Sequence, residues 1–310
     1  MKLFAGTSNL PLAQELSTLL SLPLSKAEVI RFDNSEVKVT ILEDITNEDC
    51  YVIQPTSNPT DTHIIELLFF IDALKRQEAR KVTALIPYFG YARQNAQHRK
   101  GESVSMNVIV KMLETVGADE VTVLTLHEEA SAGMFSIPFT NASALAVLVP
   151  QVKEYILSVM GSSSIEDGVA FVTPDQEGVE RARLFAEAVF PEHSVEIAVT
   201  EKKRNLDVKH ESEAMALYGN VENKVCVIVD DIITSGGTVI HSTDLCLQKG
   251  AKRVICCIAH PDLAPDAANK LQNSQIDRFF ATNTVELKPE NRFPKLTIVS
   301  VAELLKQYVK

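Results

Sequence analysis

Apolar residues follow two alternating patterns along this chain. Short runs rich in valine and isoleucine, such as YVIQP, KVTALIPYF and EVTVLTLH, are separated by stretches at 64–76 and 105–116 in which apolar residues recur every three or four positions. The short runs predict buried strands, and the longer stretches predict amphipathic helices. Strands that alternate with helices indicate an α/β protein in which a mainly parallel sheet is flanked by helices.

The second half of the chain repeats this plan. Its strand runs are VAFVTPD, VEIAVTEKK, KVCVIVDD and RVICCIAH, with helical spacing at 179–189 and 238–248. Two segments agree in detail, since GADEVTVLTLH and GAKRVICCIAH both begin with Gly-Ala, at Gly117 and Gly250, and both end in a histidine. We interpret the halves as copies of one α/β unit that join at about residues 143–165, with extra residues at about 90–103 in the first copy.

Composition and charge limit the classes of protein that this chain can represent. Of its 310 residues, 45% are hydrophobic and 23% are charged, so a globular protein with two domains is expected. The net charge of −11 repels nucleic acids and anionic membranes. The start MKLFAGTSN lacks the apolar core of a secretion signal, and the five cysteines show no metal-ligand spacing. We therefore expect a cytoplasmic protein with reduced cysteines and with no nucleic-acid or membrane partner.

The stretch VIVDDIITSGGT combines a strand, two acids and a loop of small residues. The strand leads into Asp230 and Asp231, and the loop then provides Thr234, Ser235, Gly236, Gly237 and Thr238 directly before a predicted helix. Glycines let the backbone approach an anion, and the amides and dipole of a helix N-terminus favour a phosphate there. A plain glycine-rich turn would account for the glycines but not for two consecutive acids. At the carboxyl edge of a parallel sheet these acids would accept hydrogen bonds from sugar hydroxyls or hold a hydrated Mg²⁺, so the stretch indicates a sugar-phosphate site.

This loop resembles the ribose 5-phosphate loop of the phosphoribosyltransferase fold, and further motifs narrow the resemblance. RFDNSE, PYFGYARQ, LHEEASAGMF, TPDQEGVERA and EKKR occur in the order and spacing of ribose-phosphate pyrophosphokinases. The resemblance implies two tandem phosphoribosyltransferase-like domains. Residues 1–147 would form the ATP side and residues 148–297 the ribose 5-phosphate side, with a C-terminal helix at about 298–310 packed back onto the first domain.

The same resemblance implies a reaction and a set of site residues. The anomeric hydroxyl of ribose 5-phosphate would attack the β-phosphorus of MgATP, giving phosphoribosyl pyrophosphate and AMP. Such a transfer depends on positioning and on neutralising phosphate charge. The implied catalytic cations are Lys202 and Arg204, and the implied metal positions for Mg²⁺ are His127 and Asp175. The implied ATP-binding residues are Phe32, Asn34, Glu36, Arg93, Gln94 and His127. The implied ribose 5-phosphate residues are Arg204, Asp230, Asp231 and the five residues Thr234, Ser235, Gly236, Gly237 and Thr238.

Other expectations concern assembly and surface residues. In the family the loop of Phe32 reaches into a neighbouring subunit, which implies a homo-oligomer, a hexamer built from dimers. Arg181 and Arg183 are expected to face outward on the helix that follows TPDQEG. The sequence also departs from the family pattern, with Thr234 where the best-known members carry a third acid and Ser35 where glycine is usual.

Two other functions remain as alternatives. A phosphoribosyltransferase would consume the same product, but it needs only one copy of the fold, and the PYFGYARQ half argues against it. A non-catalytic, nucleotide-binding regulatory paralogue would explain the departures from the pattern. The retained Lys202, Arg204, His127 and Asp175 argue against that second reading.

Overall fold

The computed structural model describes residues 1–161, 164–203 and 214–310, which divide into two compact units. Unit 1 comprises Met1–Ala144, Asn283–Glu286 and Ser300–Lys310, and unit 2 comprises Leu145–Thr282 and Leu287–Val299. The chain therefore leaves unit 1 twice, after Ala144 and again after Glu286, and returns to unit 1 for its last residues.

Unit 1 is a five-stranded parallel sheet with a separate two-stranded hairpin. Its elements in chain order are β1 (Lys2–Ala5), α1 (Leu10–Leu20), β2 (Ala27–Arg31), β3 (Val37–Ile41), β4 (Asp49–Ile53), α2 (Thr60–Arg76), β5 (Lys81–Ile86), α3 (Ser105–Thr115), β6 (Glu120–Leu124) and β7 (Phe139–Ala142). The sheet order is β1-β4-β5-β6-β7, all neighbours being parallel, while β2 and β3 pair antiparallel. A 3₁₀ turn spans Glu129–Met134.

The core of unit 1 lies between the sheet and helices α2 and α3. Alternate residues of the central strands, such as Val52, Ala84 and Val123, pack with Phe70 and Val110 of the two helices, and all five are fully buried. This arrangement follows from the period-2 geometry of strands and the apolar stripe of each helix.

Unit 2 is a seven-stranded sheet. Its elements are α4 (Val149–Val159), α5 (Ile165–Gly168), β8 (Val169–Thr173), α6 (Val179–Val189), β9 (Glu196–Lys203), β10 (Ala214–Tyr218), β11 (Val225–Ile233), α7 (Gly237–Gln248), β12 (Arg253–Pro261), α8 (Ala267–Gln272), β13 (Arg278–Thr282) and β14 (Leu296–Val299). Helix α9 (Ala302–Lys306) then packs against α1 in unit 1. Short 3₁₀ turns cover Ala144–Leu148 and Pro289–Asn291.

In the sheet of unit 2, the order in which successive strands are added changes direction between β8 and β11. The order is β10-β9-β8-β11-β12-β13-β14, and only β10 runs antiparallel to its neighbour. From β8 the chain proceeds through α6 to β9 on one side, and from β11 it proceeds through α7 to β12 on the other. The carboxyl ends of two such strands form a crevice, which is where ligands bind in open α/β sheets.

Helices cover both faces of the unit 2 sheet. On one face Val239 and Cys246 of α7 pack against Cys226 and Ile228 of β11. On the other face Phe185 of α6 lies edge-on to Phe171 of β8, with ring centroids 6.0 Å apart. All five cysteines of the chain are buried and free. Within the described residues, no helix combines the length and apolar character that crossing a bilayer requires.

The two Gly-Ala segments have the same structure in both units. Gly117 and Gly250 follow the ends of α3 and α7 with φ of +103° and +89°, a backbone conformation that glycine adopts without steric cost. The alanine after each glycine donates to a carbonyl in the last turn of its helix, Leu113 in one unit and Cys246 in the other. This local agreement is what the interpretation as a duplication requires. The prediction of an α/β fold with parallel sheets flanked by helices is confirmed.

Candidate active site

Asp230 and Asp231 lie where β11 loses one of its neighbours. Pairing of β11 with β8 ends at Ile228, opposite Val172, whereas pairing with β12 continues past the acids to Ile233. The acids are therefore inside β11 rather than at its end, and they border the crevice that β8 leaves open. The sequence pattern located them correctly at the edge of the sheet but placed the strand end too early.

Arg181 pairs with both acids, which corrects the expectation that it faces outward. Its guanidinium Nη1 is 3.2 Å from Oδ1 of Asp231 and 3.5 Å from Oδ1 of Asp230. The side chains are 16% exposed for Arg181 and Asp230 and 4% for Asp231. The reason is the position of Arg181 in the first turn of α6, a helix that packs on both β8 and β11. Arg183 does face outward and pairs with Glu180 and Glu187 on its own helix.

Burial and crowding of negative charge make this pair of acids unusual. Burial, followed by the charge of Asp231, raises the pKa of the Asp230 carboxyl well above its ordinary value, and Arg181 acts in the opposite direction. Asp175 adds a further negative charge nearby. Perturbed carboxyls at the mouth of a crevice are frequent at functional sites.

The loop between β11 and α7 has the geometry of an anion site. Gly236 has φ +80°, and a Cβ built on it would lie 2.7 Å from Cδ2 of the buried Leu271. A Cβ on Gly237 would meet only Oγ of Ser235, at 3.8 Å. Among the residues that the structure describes, no side chain caps the N-terminus of α7, so amides of its first turn remain for water or a ligand. The loop is held from the other side by the amide of Ala264, which donates to the carbonyl of Thr234.

Asp175 lies on a tight turn that follows β8. Its Oδ1 accepts a hydrogen bond of 2.9 Å from the amide of Gly178, and its carbonyl accepts one from the buried hydroxyl of Thr173. A Cβ on Gly178 would lie 2.1 Å from that hydroxyl oxygen, so the turn needs glycine at this position. The carboxyl of Asp175 is thereby fixed at the carboxyl edge of the sheet, next to β11.

The described residues contain no group of three or more histidine, cysteine, aspartate or glutamate side chains that could hold a metal by itself. Mg²⁺ in nucleotide enzymes is ordinarily bound by one or two carboxylates together with substrate phosphates and water. Asp175 suits that arrangement because it is exposed and its Oδ2 accepts no hydrogen bond from the described part of the chain. His127 belongs to unit 1 and Asp175 to unit 2.

The predicted catalytic cations fall at the limit of the described structure. Lys202 and Lys203 form the end of β9, where their backbone pairs with Met215 and Ala214 of β10. Arg204 lies outside the described residues, as does most of the polar segment that follows it.

In unit 1, Phe32, Asn34 and Glu36 occupy the tip of the β2–β3 hairpin. Phe32 is 46% exposed, so the loop does not fold its ring back into unit 1. The amide of Phe32 donates to the carbonyl of Glu36, and the amide of Glu36 donates to Oδ1 of Asn34. Ser35, at the position where glycine is usual, has φ +71°, a conformation uncommon for residues other than glycine.

Arg93 and Gln94 are exposed on the long loop between β5 and α3. Gly90 anchors the loop, since its amide donates to Oγ1 of Thr56 at 2.7 Å and a Cβ there would lie 2.4 Å from the Thr56 carbonyl oxygen. Oε1 of Gln94 accepts a hydrogen bond of 2.7 Å from the hydroxyl of Ser105, the first residue of α3. The loop therefore holds the backbone of Arg93 while leaving its side chain accessible.

The half-buried His127 follows β6, and its neighbours connect it to the same loop. The side-chain amide of Asn95 donates to the carboxylate of Glu128 and, at 3.0 Å, to Oγ of Ser131. Asn95 thus ties the segment after Gln94 to the segment after His127. Asn95 is not among the site residues predicted from the sequence. Its partners Glu128 and Ser131 are more than 30 residues away in the sequence, and no local pattern connects them to Asn95.

Sequence comparisons agree with the two-unit arrangement. Residues 1–117 match the family model described as the N-terminal domain of ribose phosphate pyrophosphokinase, and residues 152–287 match the phosphoribosyl transferase domain. The chain is 36% identical over 309 residues to a ribose-phosphate pyrophosphokinase of Bacillus subtilis, covering 100% of this chain and 93% of that protein. It is 37% identical over 306 residues to ribose-phosphate pyrophosphokinase 1, chloroplastic, of Arabidopsis thaliana, covering 98% of this chain and 73% of that protein.

A solved structure is similar over the whole chain. The phosphoribosylpyrophosphate synthetase from Mycobacterium smegmatis superimposes with a TM-score of 0.90 at 30% sequence identity, covering 99% of this chain and 96% of the other. The likeness therefore includes both units and the connections between them.

Proposed function

Since the chain belongs to the family of ribose-phosphate pyrophosphokinases, we propose that it transfers the β,γ-diphosphoryl group of MgATP to the anomeric hydroxyl of D-ribose 5-phosphate. The products are 5-phosphoribosyl 1-diphosphate and AMP. The observation that carries this proposal is the crevice of unit 2. There the buried Asp231, the half-buried Asp230 and a helix N-terminus that no described side chain caps border the same switch point of the sheet.

The two halves of ribose 5-phosphate match the two parts of this crevice. The 5-phosphate would bind the loop of Thr234, Ser235, Gly236, Gly237 and Thr238, where backbone amides and the dipole of α7 favour an anion. The ribose hydroxyls would donate to the carboxylates of Asp230 and Asp231. Carboxylates this close to a phosphate are tolerated because the amides and the dipole of α7 bind the phosphate. The carboxylates themselves pair with Arg181 and would accept from the neutral hydroxyls of the ribose.

Residues of unit 1 would bind the nucleotide. The exposed ring of Phe32 offers a flat apolar surface for the adenine base, and Asn34 and Glu36 offer polar groups beside it. Arg93 and Gln94 would contact the nucleotide from the long loop of unit 1. In the family the Phe32 loop serves a neighbouring subunit, so we propose a homo-oligomer, a hexamer built from dimers, in the cytoplasm.

Catalysis would rest on charge neutralisation in the transferring group. Lys202 and Arg204 would provide cations, Lys as a point charge and Arg as a bidentate donor to phosphate oxygens. His127 and Asp175 are the residues that would hold Mg²⁺, and the metal would supply positive charge that offsets the charge of the phosphates. Neither role requires a protein nucleophile, because the attacking oxygen belongs to the ribose. Positioning and exclusion of water by the protein set the rate.

The test is an assay of AMP formation by the purified protein with ATP, ribose 5-phosphate and Mg²⁺. We expect AMP only when all three are present, with 5-phosphoribosyl 1-diphosphate formed in equal amount. ATP binding without AMP would contradict the proposal and favour a regulatory paralogue. Release of pyrophosphate from 5-phosphoribosyl 1-diphosphate on addition of a nucleobase, with no AMP from ATP, would favour a phosphoribosyltransferase.

A further inference from the structure

Arg181 has a position that neither the sequence motifs nor the proposed reaction accounts for. It is in the first turn of α6, and its guanidinium reaches the two acids of β11 rather than solvent. Arg183 is two residues further along the same helix, and it pairs only with acids of that helix at the surface. Arg181 therefore makes ion pairs within the crevice, whereas Arg183 makes ordinary ion pairs at the surface.

The acids need a cation if they are to receive a sugar. Asp230 and Asp231 are adjacent in sequence, both are largely buried, and Asp175 adds negative charge beside Asp230. Adjacent carboxylates of this kind tend to share a proton. A protonated carboxyl would donate its hydrogen to its neighbour and present fewer acceptor sites to ribose hydroxyls. The charge of Arg181 opposes the rise in the pKa of Asp230.

The planar guanidinium suits the task of holding both carboxylates. One nitrogen, Nη1, lies within 3.5 Å of an oxygen of each acid, and it contacts Oδ1 in both cases. Each carboxylate has a second oxygen, and a carboxylate can accept more than one hydrogen bond. The contact with Arg181 therefore fixes the rotation of each acid and still permits a further bond to a ligand.

We propose that Arg181 is a positioning residue for ribose 5-phosphate, which holds the carboxyl groups of Asp230 and Asp231 in the orientation in which they accept hydrogen bonds from the ribose hydroxyls. This inference rests on the proposed function, since it takes the acids as the ribose subsite. Arg181 acts through the two acids and belongs to the binding of one substrate only.

Steady-state kinetics of three variants tests the inference. We expect Arg181→Gln to raise KM for ribose 5-phosphate roughly 10- to 100-fold, the effect of weakening one or two hydrogen bonds to charged groups. The KM for ATP should stay within about twofold, and kcat should change little, because a contact made equally in ground and transition states affects KM. Arg181→Lys keeps the charge without the planar fork and should give an intermediate KM. Arg183→Gln is the matched control and should leave both KM values unchanged.

Several outcomes would overturn the inference. These are an unchanged KM for ribose 5-phosphate in Arg181→Gln, an equal rise in Arg183→Gln, or a fall in kcat and thermal stability with both KM values unchanged. The last result would show a purely structural ion pair. If Arg181→Gln does not fold, Arg181→Lys decides, since an unchanged KM for ribose 5-phosphate in that variant also overturns the inference.

Failure of the proposed function would be distinguishable from failure of this inference. If the unaltered protein forms no AMP, the proposed reaction is wrong, whatever the variants do. The role of Arg181 is then read from thermal unfolding with and without ribose 5-phosphate. Stabilisation of the unaltered protein and of Arg183→Gln, but not of Arg181→Gln, would still support the inference, and equal stabilisation of all three would refute it.

Discussion

Gly236 and Gly237 are adjacent, yet the fold requires glycine only at Gly236, and we expect Gly237 to be needed for the approach of a phosphate. Gly236 has φ +80°, and a Cβ there would lie 2.7 Å and 3.1 Å from Cδ2 and Cγ of Leu271. Gly237 begins α7 outside the positive-φ region, and a Cβ there would be 3.8 Å from its nearest neighbour, Oγ of Ser235. We therefore expect alanine at Gly236 to damage the fold and alanine at Gly237 to damage only the binding of ribose 5-phosphate.

The expected loss for Gly236→Ala can be worked out from two terms. A left-handed conformation costs a residue with a Cβ about 1–2 kcal/mol, and forcing a methyl group into a packed site costs about 1–3 kcal/mol. The smaller conformational freedom of unfolded alanine offsets about 0.5–1 kcal/mol. The net loss is about 1–4.5 kcal/mol of unfolding free energy, which corresponds to a fall in Tm of roughly 2–18 °C for a unit of this size.

Gly237→Ala should behave in the opposite way. Alanine is favoured over glycine inside a helix by up to ~1 kcal/mol, so Tm should be unchanged or slightly higher. The methyl group would keep a phosphate away from the amides of the loop, and losing one or two charge-assisted hydrogen bonds at about 1.5–3 kcal/mol each would raise KM for ribose 5-phosphate at least tenfold. The KM for ATP should stay the same.

Thermal unfolding and steady-state kinetics on the two variants test this reasoning directly. A normal Tm for Gly236→Ala would show that the loop accommodates a side chain at that φ. A normal KM for ribose 5-phosphate in Gly237→Ala would show that the phosphate does not approach the N-terminus of α7. Each result would refute one half of the argument and leave the other intact.

Three further predictions concern single side chains. Phe32→Ala should raise KM for ATP roughly tenfold or more, because stacking a base on an aromatic ring contributes about 1–3 kcal/mol. Phe69 is similarly exposed, so Phe69→Ala is the control and should not alter the kinetics. Lys202→Ala should lower kcat about 10²-fold or more without loss of ribose 5-phosphate binding. Lys203→Ala is the control and should change kcat by less than about tenfold. Equal effects on kcat would refute the assignment of Lys202 as the catalytic cation. Asp230→Asn should abolish ribose 5-phosphate binding yet raise Tm at neutral pH. Because the pKa of Asp230 is raised in the folded protein, the protein loses stability as pH rises from the ordinary aspartate pKa to the folded-state pKa. Asparagine does not ionise and avoids this loss. A lower Tm for Asp230→Asn would therefore contradict the reasoning.

The features predicted from sequence were those encoded over a few neighbouring residues. The Gly-Ala turns after α3 and α7 and the glycine loop before α7 depend on local backbone conformation, so their residue types identify them. Arg181 was placed wrongly because its partners come from β11, a strand that is distant in sequence. One signal was present, since Arg181 precedes the buried Phe185 by one helical turn and so shares its face. A charged residue on the apolar face of a helix is a reason to search for a buried partner.

The two copies of the fold differ most in how the helix after the central strand begins. In unit 2 only residues 234–236 separate β11 from α7. No side chain in the described part of the chain caps this helix, which leaves its amides for an anion. In unit 1 residues 87–104 form a long connection, and the carbonyl of Gln94 accepts from the amide of Met106 in the first turn of α3. The longer loop thus occupies the helix end with its own backbone and carries Arg93 outward instead.

If unit 1 binds phosphates of the nucleotide, it must do so through side chains such as Arg93, while unit 2 uses amides. Binding through an arginine is more sensitive to salt than binding through buried amides. Raising the ionic strength should therefore increase KM for ATP more than KM for ribose 5-phosphate, and an equal increase of both would contradict this division of roles.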